Sequence, residues 1–133
     1  MELVTGLKGR AETTVDSTNT AAAAGSGTLQ VFGTPFMAAL MEKAASDSLQ
    51  QTLEPGKSSV GTQLSLRHSS ATPVGMRVWA ESIVTVVDGR KISFSVTAFD
   101  EAGEIGSGEH ERVIIDSARF MERCQAKLNN KND

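Results

Sequence analysis

One long helical pattern, from Thr34-Pro35 to Pro55-Gly56, most constrains how this chain can fold. Threonine caps helices with its hydroxyl, and proline suits the first helical position, where no backbone N–H is required. Apolar or small residues recur at three- and four-residue spacing, namely Met37, Leu40, Met41, Ala44, Ser48 and Leu49. The pattern therefore predicts a helix of about 20 residues and roughly 30 Å, which spans a small domain.

Glu42 does not fit a plain core helix. Its neighbours at three and four residues in either direction are all small, namely Ala38, Ala39, Ala45 and Ser46. The carboxylate therefore stands on a strip of small side chains where another backbone can approach closely. A solvated, alanine-rich face is the simpler interpretation, and spacing alone favours it.

Downstream of the helix the sequence alternates with a period of two residues, as half-buried strands do. The first such run covers 58–68, and its apolar face is formed by Val60, Thr62, Leu64, Leu66 and His68. Runs over 77–87 and 104–115 flank a further strand, and Asp88-Gly89 supplies a strong hairpin signal before it. We expect the last three strands to form an antiparallel meander.

The final strand carries Gly106 and Gly108 on one side, which indicates a bulge or a close backbone approach. Its middle, Glu109-His110-Glu111-Arg112, is predicted to be exposed, with His110 held by ion pairs on the surface. After Asp116, apolar residues at helical spacing predict a short, fraying terminal helix.

The N-terminal part carries weaker signals. The β-branched content of 11–16 predicts a strand, and the small and polar residues of 17–28 predict a mobile loop before the helix. Residues 1–10 and 129–133 are predicted to be mobile ends. Together these elements predict one α+β domain over 1–133, an antiparallel sheet with one long helix on one face.

Composition excludes several function classes. The formal charge is −3, from 13 basic and 16 acidic residues, and only 5% of residues are aromatic, so no nucleic-acid partner is expected. Cys124 is the single cysteine, and His68 and His110 are the only histidines, so no metal site is predicted. No apolar run is long enough for a membrane span or a signal peptide, which favours a cytoplasmic protein without membrane contact.

Several short stretches together resemble the fluoroacetyl-CoA thioesterase family of hotdog-fold hydrolases, over about residues 31–115. They are Val31-Phe32-Gly33-Thr34, Phe36-Met37, Leu40-Met41-Glu42, Leu53-Glu54-Pro55-Gly56, Val60-Gly61-Thr62, His68, Ile105-Gly106-Ser107-Gly108 and His110-Glu111-Arg112. The resemblance implies a hotdog fold, in which the sheet wraps around the central helix. It also implies hydrolysis of a short or medium acyl-CoA thioester to a carboxylate and free CoA, with CoA as part of the substrate and no resident cofactor.

The resemblance also implies site residues. Thr34, Glu42 and His68 match the family's catalytic trio, and Gly61 matches the position whose backbone N–H faces the thioester oxygen. Val60, Thr62 and Phe36 are the neighbouring candidates for substrate binding. The residues leave open whether Thr34 or Glu42 attacks the carbonyl or water attacks directly. Because the loop 20–28 has no aromatic residue, selectivity for a fluoroacyl group is not carried over.

Helix geometry constrains the trio. Eight residues separate Thr34 from Glu42, which is roughly 12 Å along a helix axis and too far for a hydrogen bond. We therefore expect part of the trio to meet across subunits of a homodimer; the sequence leaves open whether dimers pair further into a tetramer. Two alternatives from other classes remain: an acyl-thioester hydratase or dehydratase, which gives Thr34 no role, and a non-catalytic acyl-CoA binding module.

Overall fold

The structure, a computed structural model, describes residues 2–130 of the chain. It consists of one antiparallel sheet, one long helix packed on the sheet, and two flanking helices. The elements in chain order are β1 (Lys8–Thr14), α1 (Ala21–Ala24), α2 (Thr34–Gln50), β2 (Lys57–His68), β3 (Arg77–Asp88), β4 (Lys91–Asp100), β5 (Gly103–Asp116) and α3 (Ser117–Asn130).

The sheet has five strands in the order β1-β3-β4-β5-β2, and every pairing is antiparallel. The predicted meander of β3, β4 and β5 is confirmed, and Gly89, with φ +61°, lies in the two-residue turn between Asp88 and Lys91. Helix α2 packs against β1, β2, β3 and β4, so the sheet curls around it. The predicted α+β class and hotdog fold are therefore correct.

Helix α2 has 17 residues and is shorter than predicted. It ends at Gln50 because a tight turn follows, in which the backbone N–H of Thr52 donates to the Leu49 carbonyl at 2.8 Å. Its cap is Gly33, whose carbonyl accepts from Phe36 and Met37, each at 3.0 Å. The prediction that Thr34 caps the helix is wrong, and the Thr34 hydroxyl is free for another partner.

The strip of small residues on α2 continues to the point where the helix lies closest to the sheet. Ala44, Ala45 and Ser48 are buried there. A Cβ built on Gly9 of β1 would stand 2.2 Å from the Ala44 carbonyl oxygen, so only glycine fits at that position. Apolar side chains on the inward faces of β3 and β4 complete the core, namely Val78, Ala80, Val84, Ile92, Phe94, Val96 and Ala98.

Strand β2 departs from the simple alternation predicted for it. A bulge between Gly61 and Gln63 shifts the register against β5. Ser59 is buried and Gly61 faces α2, whereas beyond the bulge the partly buried residues are Leu64, Leu66 and His68. The predicted common face of Val60 and Thr62 with His68 is therefore wrong, because one extra residue reverses the alternation.

The chain ends and the first loop are more ordered than predicted. Residues 8–10 pair with β3 in β1, so the mobile end predicted for 1–10 does not extend that far. The predicted loop 17–28 contains α1, which Thr20 caps through a 3.1 Å bond from the Ala23 N–H. Of the predicted mobile end 129–133, the first two residues belong to α3, and 131–133 lie outside the described residues.

Two strands, β1 and β2, form the edges of the sheet among the described residues. Strand β2 has 12 residues, and an edge of that length presents unpaired backbone groups to any neighbouring strand. Within residues 2–130, no helix has both the length and the apolar character required to cross a bilayer.

Candidate active site

The first turn of α2 and the end of β2 bring Thr34 and His68 together. The Thr34 hydroxyl lies 2.7 Å from Nδ1 of His68, across 34 residues of sequence. Burial lowers the pKa of His68, so its ring is neutral at neutral pH. The other ring nitrogen, Nε2, is covered by protein and has no hydrogen-bond partner within the described chain. The accessible chemistry of His68 is therefore directed through Nδ1 to the Thr34 hydroxyl.

A shallow cleft adjoins this pair. It has a volume of about 290 Å³ and lies between α1 and the segment that follows β2. Its walls include Thr34, His68, Phe32 and Ala71. The cleft is open to solvent, so a small acyl group has access to the threonine hydroxyl.

The middle of α2 and the β2 bulge bring Glu42 and Gly61 together. A Cβ built on Gly61 would stand 2.8 Å from Oε2 of Glu42, so the carboxylate rests directly on the glycine backbone. The Glu42 side chain is 44% exposed, which leaves it accessible to a ligand. This is the backbone approach that the strip of small residues around Glu42 indicates in the sequence.

Arg112 of β5 forms an ion pair with the Glu42 carboxylate. Its Nη1 lies 3.7 Å from Oε2 of Glu42, and its side chain is only 8% exposed. Its Nε donates to the Ser59 hydroxyl at 2.8 Å and its Nη2 to the Ser59 carbonyl at 3.1 Å. Burial lowers the pKa of Arg112, and the Glu42 carboxylate opposes that change. The buried guanidinium therefore provides a fixed positive charge beside Glu42.

His110 holds Arg112 from the other side. Its Nδ1 donates to the Gln63 carbonyl at 2.7 Å, since a carbonyl only accepts. Its Nε2 lies 3.2 Å from Nη1 of Arg112 and accepts, since a guanidinium only donates. Burial lowers the pKa of His110, consistent with the neutral ring that both contacts require.

The prediction that His110 and Arg112 lie in an exposed strand segment is wrong, since the whole residues are only 3% and 7% exposed to solvent. The period-two alternation of β5 does indicate the burial of His110 and Arg112. Counting in twos from Gly106 and Gly108, which approach Met37 and β2 closely, places His110 and Arg112 on the same inward face. The inward face was missed because four consecutive charged or ionisable residues, Glu109-His110-Glu111-Arg112, have the composition of a solvated segment.

Within one chain these residues form two half-sites. The first is Thr34 with His68, and the second is Glu42 with Gly61 above Arg112. Eight helical residues separate Thr34 from Glu42, or roughly 12 Å. Seven strand residues separate Gly61 from His68, or roughly 23 Å. The structure thus pairs the predicted residues two by two and does not gather all of them in one chain.

The three remaining candidates are close in sequence to residues of the half-sites. Phe36 is partly buried and packs against the core, beside Thr34 in sequence. Val60 is partly buried, and the Thr62 hydroxyl donates across to the Glu111 carboxylate at 2.7 Å. Within residues 2–130, no three histidine, cysteine, aspartate or glutamate side chains come together as metal ligands would.

Comparison with known families and proteins gives a consistent result. The family described as Fluoroacetyl-CoA-specific thioesterase matches residues 15–118. A fluoroacetyl-CoA thioesterase from Streptantibioticus cattleyicolor is 41% identical over 98 residues, which are 74% of this chain and 70% of that protein.

Solved structures agree with the sequence comparison. The fluoroacetyl-CoA thioesterase FlK superposes with a TM-score of 0.89 at 32% identity, covering 96% of this chain and 98% of that one. A hypothetical protein from Thermus thermophilus, described as a thioesterase superfamily member, has a TM-score of 0.86 at 28% identity, covering 96% and 94%.

Proposed function

The chain belongs to the Fluoroacetyl-CoA-specific thioesterase family and is an acyl-CoA thioesterase, and we propose that its active site is shared between two copies of the chain. In this proposal Thr34 and His68 of one copy face Glu42 and Gly61 of the other. The single observation that carries the proposal is the separation of these residues into two half-sites within one chain.

The exposed edge of β2 supports this assembly. When two identical strands pair antiparallel about a two-fold axis, a residue i opposite j implies j opposite i. A register that places Gly61 opposite His68 of the second copy therefore unites both pairs of half-sites at once. The pairing also covers the long β2 edge. We propose a homodimer on these grounds, with further pairing into tetramers left to measurement.

The proposed chemistry is acyl transfer to water. Neutral His68 takes the proton of the attacking hydroxyl through Nδ1, which the 2.7 Å contact with Thr34 supports. The oxygen bonds to the thioester carbon, and the backbone N–H of Gly61 faces the resulting oxyanion. The carbon–sulfur bond then breaks, and the proton passes to the leaving thiolate, which gives free CoA. Where Thr34 is the attacking group, water then cleaves the acyl–Oγ ester, which releases the carboxylate and restores Thr34; where water attacks directly, the carboxylate forms in the same step.

Glu42 is proposed to position the water in this reaction. Its carboxylate, fixed by Arg112 at 3.7 Å, is placed to orient water toward the carbonyl carbon. Attack by Thr34 followed by hydrolysis and direct attack by water use the same groups and differ in the first nucleophile. Neither route requires a resident cofactor, and CoA enters as part of the substrate.

A short or medium acyl group is the proposed substrate. The cleft beside Thr34 and His68 is small and open, and α1 with its flanking residues contributes Ala21 and Ser26 to its lining. No aromatic residue of 20–28 closes over it, so we propose no selectivity for a fluorinated acyl group. We propose the reducing cytoplasm as its compartment, because the single cysteine, Cys124, is exposed and has no cysteine partner in the chain.

Release of free thiol from a panel of acyl-CoA esters tests the function. The panel runs from acetyl to octanoyl and includes α-substituted acetyl groups. The native protein should turn over the short and medium esters, and Thr34→Ala, Glu42→Ala and His68→Ala should each lower kcat/KM by about a hundredfold or more, as removal of a general base does.

Two other results would replace this conclusion. Binding of the esters by the native protein without thiol release would indicate a binding module. Addition of water to an enoyl-CoA, with the thioester intact, would indicate a hydratase. A circular dichroism melt of each variant separates loss of chemistry from loss of fold.

A further inference from the structure

A basic pocket lies at the far end of β2 from His68. It has a volume of about 320 Å³ and is bounded by the start of β2, the β3–β4 turn, the end of β5 and α3. Four cationic residues line it: Lys57, Arg90, Arg119 and Arg123. In a chain whose formal charge is −3, four cations around one pocket are a marked local concentration.

Most of this charge is not neutralised by the protein. Lys57 approaches Asp116 at 4.0 Å, and that carboxylate also accepts from the Arg119 backbone N–H at 3.1 Å. Among residues 2–130, no carboxylate lies within ion-pair distance of the guanidinium groups of Arg90, Arg119 or Arg123. Three uncompensated guanidinium groups around one cavity suit a ligand with several phosphate oxygens, which arginine binds in bidentate fashion.

Phe120 adds a second feature to the same pocket. Its side chain is 38% exposed on α3, between Arg119 and Arg123 in sequence. An exposed aromatic ring beside cations is the usual platform on which a nucleobase stacks while its phosphates are neutralised.

We propose that this pocket, here called the basic pocket, binds the nucleotide end of CoA. Arg90, Arg119, Arg123 and Lys57 hold its 3′-phosphate and diphosphate, and Phe120 stacks against its adenine. The inference rests on the proposed function, because it takes the acyl end of the same substrate to lie at Gly61 and Glu42.

The distance between the two places fits the substrate. Lys57 precedes Gly61 by four strand residues, or roughly 13 Å. The pantetheine arm between sulfur and diphosphate has the backbone length of about four amino-acid residues and reaches about 15 Å when extended. An arm laid along the start of β2 therefore connects a thioester at Gly61 with phosphates in the basic pocket.

Comparison of two substrates tests the inference separately from the function. Acetyl-pantetheine has the thioester and the arm, whereas acetyl-CoA also has the nucleotide. In the double variant Arg119→Gln/Arg123→Gln, we expect KM for acetyl-CoA to rise about tenfold with kcat nearly unchanged. KM for acetyl-pantetheine should stay at the native value. The difference between the native and variant KM for acetyl-CoA should shrink as salt is added, because salt screens exposed charges.

A matched control removes two positive charges elsewhere. Lys8→Gln/Lys127→Gln changes the net charge equally, and neither residue lines the basic pocket. It should leave both KM values unchanged. Phe120→Leu should raise KM for acetyl-CoA alone, by a smaller factor than the arginine pair.

Calorimetry with adenosine 3′,5′-bisphosphate tests the site without turnover. Binding to the native protein, with loss in the arginine variant and not in the control, would support the inference even if neither thioester is hydrolysed. An unchanged KM for acetyl-CoA in the arginine variant would overturn it. An equal rise in KM for both substrates, or an equal effect in the control, would also overturn it.

Discussion

Gly61 is the residue on which the proposed oxyanion site depends. Its missing side chain lets the Glu42 carboxylate rest on the β2 backbone, with His110 and Arg112 also close to the same position. A Cβ there would stand 2.8 Å from Glu42 Oε2, 3.2 Å from His110 Cε1 and 3.3 Å from Arg112 Nη1. The nearest atom is the end of a flexible, partly exposed side chain, so the carboxylate would move rather than the backbone.

Gly61→Ala should therefore reduce activity more than stability. We expect kcat/KM for acetyl-CoA to fall at least tenfold, because both Glu42 and the thioester oxygen lose their positions. The melting temperature should change by only a few degrees. Steady-state kinetics and a thermal melt of the same preparation measure both. Native activity in Gly61→Ala would contradict a role of Gly61 in the active site.

The pH dependence of activity reports on His68. Burial lowers its pKa below the ordinary value of 6.5, so the ring stays neutral, and able to accept a proton, as pH falls through 6.5. Activity should be level above pH 6.5 and should decline only at lower pH, as His68 becomes protonated. The measurement is log kcat/KM against pH, with circular dichroism at each pH to confirm the fold. A kcat/KM that stays level down to the pH at which the fold is lost would contradict the role of His68 as the base.

The sequence indicated four residues of the candidate site. Thr34, Glu42, Gly61 and His68 were identifiable from their family resemblance, and the structure pairs them. Arg112 was missed because Glu109-His110-Glu111-Arg112 has the composition of a solvated segment. Its burial depends on Ser59 of another strand, which accepts two of its hydrogen bonds, and strand partners are not visible in local composition.

Among the elements, the contact between β1 and α2 fixes where the central helix lies. Gly9 allows the strand to approach the helix backbone at Ala44, next to Ser82 and Ser48. The obstruction here is a main-chain carbonyl 2.2 Å from the position of a Cβ, and it cannot rotate away. The position of α2 against β1 is therefore sensitive to the addition of a single methyl group at Gly9.

Gly9→Ala should destabilise the fold by about 1–3 kcal/mol, the usual cost of overpacking a core. Urea unfolding followed by circular dichroism measures it. Gly27→Ala is the control, because its Cβ would lie at an ordinary 3.5 Å from the Ala21 Cβ. Equal stability of the two variants would show that β1 moves freely away from α2.

The strands and the long helix were largely predictable, since alternation and helical spacing are local properties. Two features were not. The β2 bulge at Gly61–Gln63 is one extra residue, and a period of two gives no sign of where it occurs. Helix α1 is only four residues long, and it lies between Thr20 and Gly25, residue types that are also common in loops. The local sequence therefore does not distinguish it from a loop.

Across the whole molecule, the proposed active site requires two chains. One chain holds an imidazole beside a hydroxyl and, roughly 12 Å away along α2, a carboxylate beside a glycine backbone. The free β2 edge offers the symmetric contact that joins them. The sequence indicated this arrangement once the family resemblance had assigned Thr34 and Glu42 to one site, because eight residues of a single helix hold them roughly 12 Å apart.

Complementation between two inactive variants distinguishes an active site shared between chains from one contained in a single chain. Glu42→Ala and His68→Ala are mixed in equal amounts, subunits are exchanged under mild denaturation, and thiol release from acetyl-CoA is measured. Random exchange makes half of the dimers mixed, each with one intact and one doubly defective site, so about a quarter of native activity should return. Thr34→Ala mixed with His68→Ala is the control and should stay inactive, because both residues belong to the same half-site. Recovery in the first mixture alone would confirm a shared site, whereas no recovery after verified exchange would contradict it.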